Sequence, residues 1–573
     1  GLWPVYAGNN ASMKYSPLDQ IAQDNLSELT VAWRWRSPDN DINGVENTAF
    51  EATPLFIDGV LYTSTSFSQV AAINGTNGET LWQFDPETYS YARPPNNGYL
   101  HRGVSYHETS AGKTVHMPTG DGRLLALNAV TGKPRTNFGD SGFGSVDLLQ
   151  NIPRLNQSTM QLSDAHDQPD APDFAGIVSQ VGNSSPGIMC NGVLVLGSSV
   201  HDGEVLPPSP PGDVRGFDPT TGDLLWTFHT IPREGEYGVE TWEQDSWKVN
   251  GNTNVWPPMS VDESLGMVYL PTGVATNNYY GGQRLGDNLF ANSVVALDCA
   301  SGQRQWHFQT VHHDIWDYDV PSQPTLVDLT LEGQRRKAVI VPTKRGEIFM
   351  LDRETGELLT EVTEREVPQT DLANEWTSPT QPFSTGMPSF AHPLITEEKM
   401  LGVTPFDQIA CRKTLLGLRY EGPMTPPSEQ GTLLYPGPGG GMNWGSVAVD
   451  ERRQLMVVNN MHLPFVIHMI PREDDPMTGG EGFTQGYGIG GQQRGTPFSA
   501  RVNLFTSPLG LPCIEPPYGE MAVVDLTNQE IVWRRPVGTA SIALPEGRIG
   551  APLEMGTPYS AGSIVTGSGL VFI

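Results

Sequence analysis

The sequence predicts an all-β protein, a β-propeller assembled from a repeated strand–turn–strand unit. Three observations predict it. A turn of the form hydrophobic-Asp/Asn-x-x-Thr/Ser-Gly-x-x-x-Trp recurs along the chain, a short hydrophobic strand precedes most copies, and few windows place apolar residues at helical spacing. Gly (63) and Pro (48) are spread along all 573 residues, which reads as many turns and not as one disordered tail.

The first copy, residues 72–82, carries Asn74, Gly78 and Trp82 and follows the strand 59–63. The second, 126–132, has Asn128 and Gly132, with Phe138 further on and no Trp. The third, 216–226, follows the strand 192–197 and carries Asp218, Gly222 and Trp226. The fourth, 296–306, follows 266–270 and has Asp298, Gly302 and Trp306. The fifth, 350–359, follows 337–341 and has Asp352 and Gly356, and a late copy at 523–533 ends in Trp533. In each, the Asp or Asn is expected to cap the turn by bonding its own backbone, and the Gly to supply a positive φ. The Trp is then placed to stack on the Gly turn of a neighbouring unit. Units that cannot bury their faces alone pack as a solenoid or a propeller, and the uneven spacing favours a propeller with long insertions. The longest irregular stretch, about 362–443, is rich in Pro, Thr and Gly and is expected to form loops over one face. The whole chain, 1–573, reads as a single propeller domain. Residues 560–573 read as the opening strands of a further unit, so a C-terminal piece of the ring is expected to lie beyond this chain.

The net charge of −30 argues against nucleic acid as a partner, because phosphate binding needs a basic face. No apolar run is long enough to cross a bilayer, and no basic-then-apolar leader opens the chain. Four Cys without CxxC spacing are too few for a disulfide scaffold and do not suggest a zinc site; an oxidising compartment would allow one or two bridges.

The densest chemistry lies in residues 311–321, which hold His312, His313, Asp314, Trp316, Asp317, Tyr318 and Asp319. Buried carboxylates need a cation or donors, so a metal or charged ligand is a natural partner for this loop; a solvated turn is the plain alternative.

With Gln323-Pro324-Thr325-Leu326, Phe406-Asp407-Gln408, Arg419-Tyr420-Glu421-Gly422, residues 425–432 and Gly510-Leu511-Pro512-Cys513, this loop resembles the quinoprotein dehydrogenases that bind pyrroloquinoline quinone (PQQ) on an eight-bladed propeller. The nearest branch is that of the membrane-bound glucose, quinate and shikimate dehydrogenases. The resemblance implies a PQQ site and calcium or magnesium. A flat tricarboxylated quinone needs cations, an aromatic platform, a divalent metal and a base for the substrate hydroxyl. Asp317 matches the catalytic base and a metal ligand, with Asp314 and Asp319 as rivals. Lys344 matches the cation at the quinone oxygens, Trp256 the indole floor, and Arg102 a carboxylate-binding arginine. Glu51, Ser184 and Ser199 match further cofactor contacts, and Asp202 an acidic metal ligand.

Departures from the family pattern are informative. Asn96 and Asn97 stand where the alcohol branch carries two adjacent Cys, and Val274 where it carries an Asn metal ligand; the third ligand then falls to Thr276 or Asn277. The glucose branch has a His at the position of Gly98, whereas here His101 adjoins Arg102. The implied function is oxidation of a sugar or polyol in the periplasm, with electrons passed to a quinone or cytochrome, and with membrane association through a part outside this chain. Rival readings are a non-catalytic propeller scaffold, or a PQQ alcohol dehydrogenase whose cytochrome domain is not in this sequence.

Overall fold

The computed structural model describes residues 3–45, 49–90, 93–109, 112–149, 154–156, 161–163, 177–202, 208–391, 394–475, 488–539, 541–544, 547–550 and 553–573. All the site residues named above fall within them. The chain folds as a series of antiparallel sheets arranged as a propeller. Five have four strands each. The first runs Leu55–Ile57, Val60–Ser64, Val70–Asn74 and Thr80–Phe84. The second runs Ser105–Thr109, Gly112–Pro118, Arg123–Asn128 and Ser145–Asp147. The third is Ile188–Cys190, Val193–Leu196, Val214–Phe217 and Leu224–Phe228, and the fourth Ser260–Asp262, Met267–Pro271, Ser293–Asp298 and Arg304–Gln309. A three-stranded sheet, Thr325–Leu331, Gln334–Pro342 and Ile348–Asp352, comes fifth. The sixth is Ala448–Asp450, Leu455–Met461, Gly519–Asp525 and Glu530–Pro536. Finally Tyr15–Ser16 pairs parallel with Ile564–Thr566, joining the two ends of the chain in one small sheet. The count of eight blades goes beyond the sheets of the described residues.

Sequence logic is visible at both edges of each sheet. Inside, the opening strands stand in a row: Ser105–Thr109 beside Ile188–Cys190, that beside Ser260–Asp262, and that beside Thr325–Leu331. Outside, the repeat behaves as its residues require. Asn74, Asn128, Asp218, Asp298, Asp352 and Asp525 each accept backbone N–H bonds from their own turn. The turn glycines Gly78, Gly132, Gly302 and Gly356 have φ near +70°, and a methyl group there would strike the ring of Trp33, Trp82, Trp226 and Trp306 respectively. Each indole N–H donates to the carbonyl three residues before its glycine: Gly75, Ala129, Cys299 and Arg353. At Gly222 the side chains of Phe138 and Val146 do the same work. Gln529 holds φ +58° at the position glycine takes in the other copies. A register shift falls just before the turn in every copy that ends in Trp, at Ala72/Ile73, Gly216/Phe217, Ala296/Leu297 and Val523/Val524. Such a bulge re-aims the following strand.

The core lies between neighbouring sheets. Val195, Val214 and Trp226 of the third pack on Val261, Val268 and Val295 of the fourth, and Ile340 and Met350 of the fifth on Val449, Val458 and Val524 of the sixth. The segment expected to be loops, 362–443, is more ordered than that. It holds the hairpin Val362–Glu366/Thr380–Ser384, the strand Thr432–Leu434 and a helix, Pro405–Gly417. Thr404 caps that helix by accepting from Asp407 N, with Pro405 in its first turn.

All four cysteines pair: Cys190 with Cys299 across the third and fourth sheets, and Cys411 of the helix with Cys513. Each bridge spans about a hundred residues of chain, so its loss frees a long loop in the unfolded state. Replacing Cys411 and Cys513 together by Ser is expected to remove about 2–4 kcal/mol of stability. Guanidinium unfolding of variant and parent without reductant checks this.

Candidate active site

The loop 311–321 is shaped by Asp314. Its buried carboxylate accepts Trp316 N at 2.8 Å, Tyr318 N at 2.7 Å and Asn292 Nδ2 at 2.7 Å. Asp317 is thereby held with φ +62°, in the left-handed region. Asp314 therefore organises the loop and makes no ion pair with Lys344, although burial, and with it the charge of Asp319, pushes its carboxyl up.

That cluster forms around Lys344. Its ammonium donates to Asp317 Oδ1 and to Asp319 Oδ2, both at 2.9 Å, and to the Asp317 carbonyl at 2.8 Å. The lysine is fixed by the glycine-rich stretch 437–441. Gly441 N donates to the Lys344 carbonyl at 2.7 Å, and at Gly440 (φ +77°) a methyl would strike the Lys344 Cα and side chain. The two aspartates differ in what remains open. Asp319 also accepts Val274 N at 2.6 Å and the Trp256 indole at 3.3 Å, so both its oxygens are engaged. At Gly273 a methyl would lie 2.9 Å from Asp319 Oδ1, so only glycine permits this approach. Asp317 meets Lys344 and keeps acceptor capacity. Burial pushes the Asp317 carboxyl well above the usual range; Lys344 pulls it down, while Asp319 and Asp202 push it further up. One ammonium between two carboxylates leaves negative charge in excess, the charge that a bound cation would offset. Lys344 itself is held up, the pull of Asp317 and Asp319 exceeding the cost of burial.

Arg102 anchors the opposite wall. It pairs with Glu51 Oε2 at 2.8 Å and donates to Ser184 Oγ at 3.0 Å and Ser185 Oγ at 3.3 Å. Its guanidinium lies 5.1 Å from the Trp256 ring and 5.3 Å from the Trp444 ring, a cation between two indoles. Ser185 Oγ donates to the Trp256 carbonyl at 2.6 Å, so hydrogen bonds tie the serine turn to both the arginine and the tryptophan. An unbroken chain of contacts thus runs Glu51–Arg102–Trp256–Asp319–Lys344–Asp317, gathered from residues 51 to 344. Ser199 is buried in the short strand paired with Val181–Gly182, next to this turn in the sheet and not in the chain of contacts.

Asp202 belongs to the same electrostatic field. Its backbone N–H donates to Asn96 Oδ1 at 3.1 Å, and Asn96 Nδ2 donates to the Val200 carbonyl at 2.8 Å. The amide at a position where the alcohol branch has cysteine therefore clips the Asp202 segment in place. Asn278 hydrogen-bonds the Asp202 carboxylate. Burial, then the charge of Asp319, pushes the Asp202 carboxyl up to about 6. In the stretch of chain that ends at Asn278, Thr276 Oγ1, Asn278 Oδ1 and both amide atoms of Asn277 are buried without a hydrogen-bond partner, as is Arg102 Nε. Such atoms cost about 1–3 kcal/mol each when left unsatisfied. Val274 enters the site only through its backbone. His101 turns away, its Nε2 2.7 Å from the Pro118 carbonyl, and burial lowers it to about 3. Among the described residues no group of three His, Cys, Asp or Glu side chains converges as a metal cluster. A cation here would draw on Asp202 with amide and hydroxyl oxygens, a hard-oxygen set.

A carboxyl whose pKa rises on folding binds its proton more tightly in the folded state. Its contribution to stability therefore falls as pH climbs from the ordinary carboxylate value to about 6, and the loss is complete above that. Asp202→Asn in the cofactor-free protein is expected to gain roughly 1–2 kcal/mol above pH 6 and little at pH 4. Urea melts at both pH values test it.

Trp444, Ser185, Asn278 and Asn96 are contacts that the sequence reading did not assign to the site. Trp444 had a local signal, since it follows the glycine-rich stretch that wraps Lys344; Ser185 and Asn278 had none.

The geometry can be set beside known proteins. Residues 3–573 match the family model described as PQQ: glucose/ethanol/alcohol dehydrogenase, beta-propeller domain. The quinoprotein glucose dehydrogenase of Escherichia coli is 35% identical over 601 residues, covering 100% of this chain and 70% of that protein. The quinate/shikimate dehydrogenase (quinone) of Acinetobacter baylyi is 33% identical over 599 residues, with the same two coverages. Among solved structures, the quinohemoprotein alcohol dehydrogenase from Comamonas testosteroni aligns with TM-score 0.65 at 20% identity over 100% of this chain and 69% of that one, a likeness of fold.

Proposed function

This chain belongs to the PQQ-dependent glucose/ethanol/alcohol dehydrogenase family and is a quinoprotein dehydrogenase acting on CH–OH groups; from that premise we propose that it oxidises a hydroxyl of a sugar or polyol, with Asp317 as the base. The observation that carries the reading is the Asp317–Lys344–Asp319–Trp256–Arg102–Glu51 chain of contacts, which puts a base, two cations and an aromatic floor in one buried place.

Bound there, PQQ supplies an ortho-quinone that takes up the electrons of an alcohol C–H bond. The chain's own residues do the rest. Trp256 and Trp444 present indole faces suited to a flat ring. Arg102, Ser184 and Ser199 meet carboxylates, with Glu51 holding the guanidinium in position. Lys344 supplies positive charge at the quinone oxygens and would donate to one of them by exchanging one of its three bonds to Asp317 and Asp319. Asp317, with unused acceptor capacity and a carboxyl poised above the usual range, takes the substrate's hydroxyl proton at a side-chain oxygen. Asp202 and Asp317, with Asn277 and Thr276 as the further oxygen donors, are the ligands we assign to Ca2+ or Mg2+. Four carboxylates (Glu51, Asp202, Asp317 and Asp319) against two cations (Arg102 and Lys344) favour such an ion. A non-catalytic scaffold has no use for this expensive set of buried charges.

We further assign the enzyme to the periplasm, with a quinone or cytochrome as electron acceptor. Two paired disulfides suit an oxidising compartment. Among the described residues no helix is long and apolar enough to cross a membrane.

The test is reconstitution of cofactor-free protein with PQQ and either CaCl2 or MgCl2, followed by absorption spectra and dye reduction with aldoses, polyols and quinate. Cofactor uptake with turnover of one of these classes is expected. Absence of uptake with both ions removes the reading.

A further inference from the structure

The N-terminal segment 3–16 runs along the inner edges of the sheets. The carbonyls of Trp3, Asn10, Ala11, Met13 and Lys14 accept from the N–H groups of Phe56, Val261, Leu326, Val449 and Val565, at 2.8–3.0 Å. Those donors lie on the opening strands of the first, fourth, fifth and sixth sheets and on the small sheet that joins the chain ends. A sheet edge turned inward needs such partners. The same segment also reaches the walls of the active site. Tyr6 is buried, and burial pushes its phenol up to about 12, with Arg102 pulling it down and Glu51 pushing it up. Its ring therefore lies in the field of the Arg102–Glu51 pair.

Lys14 is the unexpected member of this segment. It is 6% exposed, and its ammonium donates to the Gly445 carbonyl at 2.6 Å. Among the described residues no carboxylate offsets its burial, which lowers its pKa to about 7. An apolar side chain would fill the same space at lower cost, so packing alone does not account for a lysine here. What the ammonium holds is the residue next to Trp444. Gly445 N donates to the Ser560 carbonyl at 2.8 Å, and a methyl group on Gly445 would strike the backbone of residues 560–562. On the other side, Trp444 N donates to Asn443 Oδ1 at 2.7 Å, and Ser322 Oγ donates to the Asn443 carbonyl at 2.9 Å. The backbone that carries the second indole on Arg102 is thus fixed from both directions.

We propose that Lys14 is a positioning residue of the cofactor site: through the Gly445 carbonyl it fixes Trp444 on Arg102, so that the N-terminal segment sets how tightly PQQ is held. The proposal rests on the dehydrogenase reading above and deepens it. Without the ammonium, a buried carbonyl loses its donor, and the peptide turns to recover one. Trp444 turns with it, and the guanidinium keeps only one of its two indoles.

The test is absorbance titration with PQQ, in whichever of CaCl2 or MgCl2 the parent uses, of the parent, Lys14→Met, Trp444→Phe and the double variant. Far-UV circular dichroism of each confirms the fold. Lys14→Met is expected to weaken PQQ binding about tenfold. In the double variant, the Lys14 change is expected to add no more than about twofold to the loss caused by Trp444→Phe, because both act through one indole. Parental affinity in Lys14→Met, or two losses that multiply in the double variant, overturns the proposal and leaves the dehydrogenase reading intact. A parent that takes up no PQQ with either ion overturns both. If Lys14→Met does not fold, hydrogen exchange of the parent decides. Coupling is reciprocal, so PQQ is expected to slow exchange in residues 10–16, and unchanged exchange there overturns the proposal.

Discussion

Asp317→Asn is expected to lower turnover by about 10²–10⁴-fold, the range a positioned general base contributes, while PQQ uptake persists. The amide keeps the shape of the side chain and an oxygen for Lys344 but cannot accept the substrate's proton. Asp319→Asn serves as the comparison. Asp319 spends its oxygens on Lys344, Trp256 and Val274 N, so its loss should disturb the order of the site more than the proton transfer. Steady-state dye reduction with the preferred sugar, alongside PQQ titration by absorbance, separates the two. An Asp317→Asn enzyme with parental turnover would move the base elsewhere, and Asp319 would be the next position to examine.

Lys344→Ala is expected to cost about 3–5 kcal/mol of folding stability, the usual penalty for stranding a buried partner. Here two carboxylates, Asp317 and Asp319, lose their common cation in a site where Lys344 is only 5% exposed. The sign of the pH dependence follows. Without the ammonium, the buried Asp317 carboxyl favours the protonated form in the fold more strongly than in the unfolded chain. The deficit should therefore be large at neutral pH and shrink as pH is lowered toward the carboxylate range. Denaturant melts of parent and variant at pH 7 and pH 5 check it; equal deficits at both would mean that lost packing against Gly440, and not stranded charge, sets the cost. Lys344→Arg is no remedy, because the Gly440 backbone lies directly against the lysine stem.

The stitching of the propeller was legible because each of its steps is local. An Asp or Asn, a residue with positive φ and a Trp at short fixed offsets make one turn and one indole, and the indoles of Trp82, Trp226 and Trp306 fall on the turns of the following sheets. Where one part of the pattern is absent the reading thins out. Trp33 performs the same stacking on Gly78, but the segment before it carries no Asp–Gly turn of its own and so lacks the signature of the repeat. The helix Pro405–Gly417 was hidden for a different reason. Phe406, Ile409 and Leu416 lie exposed while Asp407 is buried, which inverts the pattern by which a helix is found in sequence.

The active-site residues were reached by resemblance more than by spacing. Asp314, Asp317 and Asp319 sit in one short loop, and nothing in their order tells which is the template, which the base and which the anchor. Those roles follow from partners far away in the chain: Asn292 for Asp314, Val274 and Trp256 for Asp319, and Lys344 for Asp317. Trp444 could not be seen as the second indole on Arg102, because the loop before the sixth sheet meets Arg102 only in the folded chain.

By itself the sequence determined the repeating turn chemistry, the all-β class and the acidic character of the chain, because these rest on φ preferences, strand patterning and charge, which act over a few residues. Only the tertiary structure decided which carboxylate is left with open lone pairs, which amides are buried without partners, and that Lys14 reaches the carbonyl beside Trp444. Those outcomes depend on which backbones approach each other at the hub of the ring, and that approach is set by the packing of whole sheets and not by neighbours in the chain.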